Sequence, residues 1–231
     1  MKTIGIIGGI GPESTIEYYR SLIAMYRQQK PDGSYPPIIV NSINLTHLLA
    51  LIAAGELDTL TEYLAGEVQK LADAGADFGL LASNTPHMVF DEIARRSPIP
   101  LISIVEATCA DATARGLKKL GLFGSRFTMQ GHFYRDVFAR AGMSLVTPEP
   151  DEQLYIHEKY MGELVDGIIK AETRERLLMI ADQLIERANI DGLILGGTEL
   201  PLILRNATHR GVPLLNTSEI HVKAALAELL K

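Results

Sequence analysis

Lys2–Thr15 reads KTIGIIGGIGPEST, and this stretch decides the fold. An apolar run, Thr3–Ile7, gives way to Gly8, Gly9 and Gly11, with Pro12 placed for the first turn of a helix. A short apolar run that ends in glycines and feeds an amphipathic pattern is a strand–turn–helix unit. The unit recurs along the chain. Further strand-like runs are Ile38–Ile43, Phe78–Ala82, Leu101–Ile104, Lys119–Phe123, Leu145–Thr147, Leu193–Leu195 and Leu214–Asn216. Helical patterns such as Ser14–Gln28, Glu56–Ala74 and Arg174–Ala188 lie among them. This alternation predicts an α/β fold with parallel sheets.

The opening stretch also has an echo. KTIGIIG at Lys2–Gly8 matches KKLGLFG at Lys118–Gly124, and EYYRSL from Glu17 matches HFYRDV from His132. DFGLLASNT from Asp77 matches IDGLILGGT from Ile190, and IPLISI from Ile99 matches VPLLNT from Val212. The pairs run in the same order at a nearly constant separation, which predicts a duplicated α/β unit. Ligands of such sheets bind beyond the carboxyl ends of the strands. The expected site is therefore the cleft between two lobes, lined by Gly8–Thr15, Ser83–His87, Gly124–Thr128 and Gly196–Leu200.

Bulk properties narrow the function. The chain has 231 residues, 47% apolar and 22% charged, enough for one large domain or two small ones. A net charge of −6 argues against a nucleic-acid or anionic-membrane surface. No apolar run approaches a membrane span, and Met1-Lys2-Thr3 leads straight into a strand pattern, unlike a targeting peptide. The one cysteine, Cys109, excludes an intrachain disulfide and a multi-cysteine metal site. These features predict a soluble, reduced, cytoplasmic protein.

Each of the four loops carries a bland and a functional reading. In GGIGPEST, Gly9, Ile10 and Gly11 either make a tight turn or present backbone N–H groups to an anion such as a carboxylate. The stretch approaches a dinucleotide fingerprint. Its third small residue is Ser14, however, and no acidic residue closes the second strand, so a nicotinamide cofactor is disfavoured. In Ala82–His87, Ser83, Asn84 and Thr85 end a strand before Pro86 begins a helix. They can cap it, or they can bind a small carboxylate. His87, in the first turn where the dipole depresses its pKa, is either a base or a structural histidine bonded to backbone. Gly124–Met129 offers the Thr128 hydroxyl and Arg126, which can meet a carboxylate or face solvent. In Gly196–Leu200, Thr198 is a natural cap, and Glu199 is either a helix-start carboxylate or a pocket acid.

Taken together, IGIIGGIGPEST…YYR, SNTPH, LGLFGSRFTMQGHFYRDVF, the acidic stretch Pro148–Glu152 and LILGGTELPLIL resemble the aspartate/glutamate racemase family over nearly the whole chain. The resemblance implies two pseudo-symmetric Rossmann-like lobes with the active site in the cleft between them, usually in a homodimer. It implies an amino acid or related carboxylate as substrate and no pyridoxal phosphate, metal or nucleotide. It also implies lobe one as 1–99 plus 218–231 and lobe two as 100–217. The family moves a proton at the α-carbon between two cysteines, one on each face of the substrate. A thiol suits the task because its reference pKa is about 8.5 and falls near helix N-termini.

In this chain the resemblance places Ser83 at the first cysteine position and Gly197 at the second. A serine hydroxyl is a far weaker acid than a thiol and needs an adjacent base. Glycine transfers no proton. Cys109, mid-helix in IVEATCADATARG, reads as a small buried hydrophobe. Some similar proteins keep only the second cysteine, and the related arylmalonate decarboxylase sets one cysteine opposite a glycine. Three readings stand. One is an isomerase of the family working through Ser83 with His87 or water. Another is a decarboxylase, lyase or tautomerase that uses the space left at Gly197 for a bulkier substrate. The third is a binding protein that senses a dicarboxylate. Asn84, Thr85, Thr128, Thr198, Glu199 and the glycine loop serve ligand binding in all three.

The last helical pattern, SEIHVKAALAELL, is expected to open on a Ser218 cap with an apolar stripe, leaving His221 at the surface or in the cap. No pair among the histidines has metal-ligand spacing.

Overall fold

The opening run forms β1 (Ile4–Gly8), and every residue of that strand is buried. The structure, a computed structural model, describes residues 2–30 and 32–231. The first half continues through α1 (Pro12–Gln29), β2 (Ile38–Ser42), α2 (Leu45–Ala54), α3 (Leu57–Asp73), β3 (Phe78–Leu81), a 3₁₀ turn (Thr85–Val89), α4 (Phe90–Arg96) and β4 (Leu101–Ile102). The second half contains α5 (Ile104–Ala114), β5 (Lys119–Gly124), α6 (Arg126–Gln130), α7 (Phe133–Arg140), β6 (Ser144–Val146), α8 (Pro150–Gly162) and α9 (Ala171–Ala188). It ends with β7 (Gly192–Gly196), α10 (Leu200–Ile203), β8 (Thr208–His209), β9 (Val212–Asn216) and α11 (Thr217–Leu229). The chain divides into two compact units, Met1–Ile104 with His221–Lys231, and Val105–Ile220.

The two units repeat one topology. Among the described residues the first sheet has the order β2-β1-β3-β4, with parallel pairing throughout. The second has β6-β5-β7-β9, also parallel, and adds β8 antiparallel at its edge. The echo in the sequence therefore maps β1 onto β5, β3 onto β7 and β4 onto β9. The fold is α/β with two parallel-dominated sheets. β8 escapes the sequence because a two-residue strand carries no period. Its hairpin turns on Arg210 and Gly211, both at positive φ.

Paired glycines show how helices seat on the two central strands. A Cβ on Gly5 would come 3.0 Å from both Leu71 Cδ1, near the end of α3, and Ala76 Cβ, in the turn that follows it. A Cβ on the matching Gly121 would come 2.7 Å from Leu184 Cδ2 of α9 and 2.8 Å from Leu193 Cδ1. Each glycine lets a helix approach its strand. In the first unit, Ile4, Ile6, Phe78 and Leu80 pack with Tyr18 and Leu22 of α1, and α11 adds Val222, Leu226 and Leu229. In the second, Leu193 and Leu195 pack with Ile156 and Tyr160 of α8 and with Leu177, Ile180 and Leu184 of α9.

The tail differs from its sequence reading in two ways. α11 opens at Thr217, one residue before the expected cap, and the Asn216 side chain accepts the Glu219 N–H at 3.1 Å. Asn216 is thus the capping residue, and Ser218 Oγ is buried without a hydrogen-bond partner. His221 is not at the surface but fully buried. Its Nε2–H donates to the Ile102 carbonyl at 2.8 Å, and Nδ1 lies 2.9 Å from the Tyr18 hydroxyl. The apolar stripe of α11 carries this histidine inward, because the tyrosine and the carbonyl satisfy both of its nitrogens.

Candidate functional site

The four loops at the carboxyl ends of β1, β3, β5 and β7 carry all the candidate residues. In the first, Gly9 has φ 76° and Gly11 φ 97°. Gly11 stands at the N-cap of α1 with Pro12 behind it, and no side chain caps the helix. The Gly9 N–H donates to Thr15 Oγ1 at 2.9 Å. Ser14 Oγ donates to the Ala82 carbonyl at 3.0 Å, tying this loop to the end of β3. Ile10 is buried, so it contributes backbone and packing to the loop.

After β3, Ser83 is 8% exposed and Asn84 is 2% exposed. Asn84 adopts a helical conformation and makes no side-chain cap bond to the 3₁₀ turn. The turn is short, and the His87 N–H donates to the Asn84 carbonyl at 3.0 Å. His87 is buried and stacks on Phe90 with ring centroids 4.8 Å apart. Its Nε2 accepts the Ile104 N–H at 3.2 Å, which places the proton on Nδ1, and Nδ1 has no hydrogen-bond partner.

Burial pulls the His87 pKa down to about 3, with the neighbouring His221 adding to the effect and the backbone of Ser83 and Asn84 opposing it. Desolvation, rather than the helix dipole expected from the place of His87 in the first turn, is the leading cause. His221 is likewise held down, to about 4, by burial. Both imidazoles are neutral at physiological pH.

After β5, Ser125 caps α6 and accepts the Thr128 N–H at 3.3 Å. Its hydroxyl lies 3.2 Å from that of Thr128, which is fully buried. The Arg126 N–H donates to His157 Nδ1 at 3.2 Å, and the Arg126 guanidinium sits over Phe127. Ser125 and His157 were not singled out from sequence. Capping spacing marks Ser125 in hindsight, whereas nothing local marks His157.

After β7, Thr198 and Glu199 are buried at 3% and 1% exposure. The Thr198 hydroxyl does not cap α10. It donates to Glu199 Oε2 at 2.8 Å, and the Tyr160 hydroxyl donates to the same oxygen. Glu199 occupies the N-cap of α10, so it is a helix-start carboxylate, and it is buried there. Burial and the Glu199 carboxylate keep Tyr160 protonated by raising its pKa well above that of free tyrosine.

The space expected beside Gly197 is filled. A Cβ there would lie 2.5 Å from Tyr160 Cε2 and 3.0 Å from Cζ. Tyr160 comes from α8, far from the loop in sequence, and no motif announced it. Cys109 lies in α5, buried, with its pKa raised by burial and by Glu106.

Two repeated, parallel-dominated sheets with glycine- and hydroxyl-rich loops at the strand ends define a duplicated α/β protein. The sequence profile of the Asp/Glu/hydantoin racemases matches residues 7–225, and the chain belongs to that family. It is 23% identical to the broad specificity amino-acid racemase RacX of Bacillus subtilis (strain 168), with 98% of each chain covered. A solved structure of an aspartate racemase homologue from Pyrococcus horikoshii OT3 superposes with a TM-score of 0.84 at 32% identity, covering 100% of both chains. A Yersinia pestis protein assigned to the Asp/Glu racemases gives 0.90 at 32%, again with 100% of both chains covered. The glutamate racemase of Francisella tularensis, solved with D-glutamate, shares the fold at a TM-score of 0.68 and 17% identity, covering 99% of this chain and 81% of that one. Among the described residues no helix is long and apolar enough to cross a membrane.

Proposed function

We infer that the protein is a cofactor-independent isomerase acting at the α-carbon of an acidic amino acid or related carboxylate. Membership of the racemase family supports the reaction class. The observation that carries the reading to this chain is the loop after β3. It keeps a hydroxyl at Ser83 and a buried amide at Asn84. Asn84, Thr85, Thr128 and Thr198, with the backbone of Gly9, Ile10 and Gly11, are the groups assigned to the substrate's carboxylate and amino groups.

In this reading Ser83 stands at the first thiol position of the family and Gly197 at the second. The symmetric two-thiol reaction is replaced by an asymmetric one. A serine hydroxyl takes a proton only with help from a neighbouring base or water. His87 fits a supporting place better than that of the base, because its Nε2 is engaged by the Ile104 N–H. A decarboxylase or lyase with a bulkier substrate loses its support, since Tyr160 fills the volume beside Gly197. We also assign the protein to the cytoplasm and to a homodimer. Light scattering at micromolar concentration tests the dimer, and a monomer mass would remove it.

The function is tested by incubating the protein with L- and D-aspartate and L- and D-glutamate in D₂O. Proton NMR then follows loss of the Cα–H signal. Protein-dependent exchange is the expected result. Tight binding of an acidic amino acid with no exchange would replace the isomerase by a binding protein.

A further inference from the structure

The side chain missing at position 197 has a physical substitute. The direction in which a side chain on Gly197 would grow is occupied by one edge of the Tyr160 ring, centred on Cε2 with Cζ on one side and Cδ2 on the other. A Cβ would meet Cε2 at 2.5 Å and Cζ, the carbon bearing the oxygen, at 3.0 Å. The hydroxyl oxygen is one covalent bond beyond Cζ. That hydroxyl is not idle. It donates to Oε2 of Glu199, two residues along the same loop, and Thr198 donates to the same oxygen. A phenol backed by a buried carboxylate is an acid–base pair, since the carboxylate can take the phenolic proton as the phenol takes another.

We propose that the Tyr160 hydroxyl, backed by Glu199, is the proton-transferring group on the Gly197 side of the substrate. The inference rests on the isomerase reading above and names the second base that reading lacks. In the forward step the Cα–H bond breaks, and its electron pair stays on the α-carbon and spreads into the substrate carboxylate. The proton goes to the Tyr160 oxygen as the phenolic proton passes to Glu199 Oε2. In the reverse step Tyr160 protonates the α-carbon and recovers its proton from Glu199. Nothing is oxidised or reduced, and exchange with solvent resets Glu199. Gly197 then follows from Tyr160, because a side chain there would displace the ring.

The test compares the wild type with Tyr160→Phe and Glu199→Gln in the D₂O experiment, each enantiomer separately. Tyr160→Phe keeps the ring and removes only the oxygen, so circular dichroism should stay close to wild type, while loss of a donor to the buried Glu199 carboxylate lowers the melting temperature and the assay is run well below it. Loss of a general acid–base is expected to slow exchange of one enantiomer by ~100-fold or more. Exchange of the opposite enantiomer, which uses the Ser83 side, should persist. Glu199→Gln should give the same one-sided loss.

Equal exchange of both enantiomers by the wild type and by Tyr160→Phe would overturn this inference and leave the isomerase reading standing. Equal slowing of both enantiomers would also overturn it, since a loop disturbed as a whole slows both faces. Wild-type protein that exchanges no acidic amino acid would remove the isomerase reading and this inference together.

Discussion

The loops after β3 and β7 hold the same place in two copies of one unit, yet they are furnished from different sources. The loop after β3 carries its own polar groups, Ser83, Asn84 and Thr85, and rests on His87 a few residues further along. The loop after β7 has two glycines where those groups would begin, and its polar partner arrives from α8, 39 residues away in sequence. A duplicated backbone therefore does not impose duplicated chemistry. Strand order and helix seating are repeated, but side chains near the strand ends are free to come from any element that packs there.

The pH response should break this comparison most strongly. His87 and His221, both in the first unit, are neutral and buried, with pKa values lowered to about 3 and about 4. A histidine whose pKa is lower in the folded state than the unfolded 6.5 binds fewer protons when folded, so stability rises with pH across that interval. Its contribution is complete above about pH 6.5 and is lost as pH falls towards the folded value. We expect urea unfolding to show stability falling by at most about 1.4 kcal/mol per pH unit for each ring below pH 6.5. His221→Gln should flatten that slope. A wild-type stability constant from pH 7 to pH 4.5 would contradict the assignment.

Placing a side chain in the second loop ranks next. Gly197→Cys drives a Cβ into the Tyr160 ring and should cost about 3 kcal/mol, the upper end of overpacking. A double-mutant cycle with Tyr160→Ala should recover part of that cost, as expected for groups in direct contact. Additive effects would mean that Tyr160 does not occupy the space.

The paired glycines of β1 and β5 sharpen the comparison at the level of packing. Gly121→Ala faces closer neighbours than Gly5→Ala and should destabilise more, by about 1–2 kcal/mol. Denaturation midpoints that rank Gly5→Ala as the worse variant would reverse the order. The smallest effect is expected for Ser83→Cys, a near-isosteric change costing less than about 1.5 kcal/mol. A larger loss in the melt would show Ser83 to be a structural residue of its loop.

Much of this was legible before any coordinates. Period and glycine placement marked the strands and the longest helices, because burial on a parallel sheet demands continuous apolar runs and close helix approach. The repeated motifs also marked the repeated strand order. The misses share a cause. Ser218 and His221 depart from their sequence reading because capping and burial depend on which partners lie within reach. Asn216 reached the Glu219 N–H first, while Tyr18 and the Ile102 carbonyl made it possible to bury an imidazole. Glu199 reads as a helix-start carboxylate or a pocket acid in sequence; it stands at the N-cap of α10, and only the structure shows its bonds from Thr198 and Tyr160.

The sequence alone determined the α/β class, the duplication and the four strand-end loops, since these follow from local periodicity and from backbone positions that only glycine serves. It also determined that no cysteine stands at Ser83 or Gly197. Only the tertiary structure decided what fills the place beside Gly197. That question turns on a residue from another helix, and packing, unlike periodicity, leaves no trace along the chain.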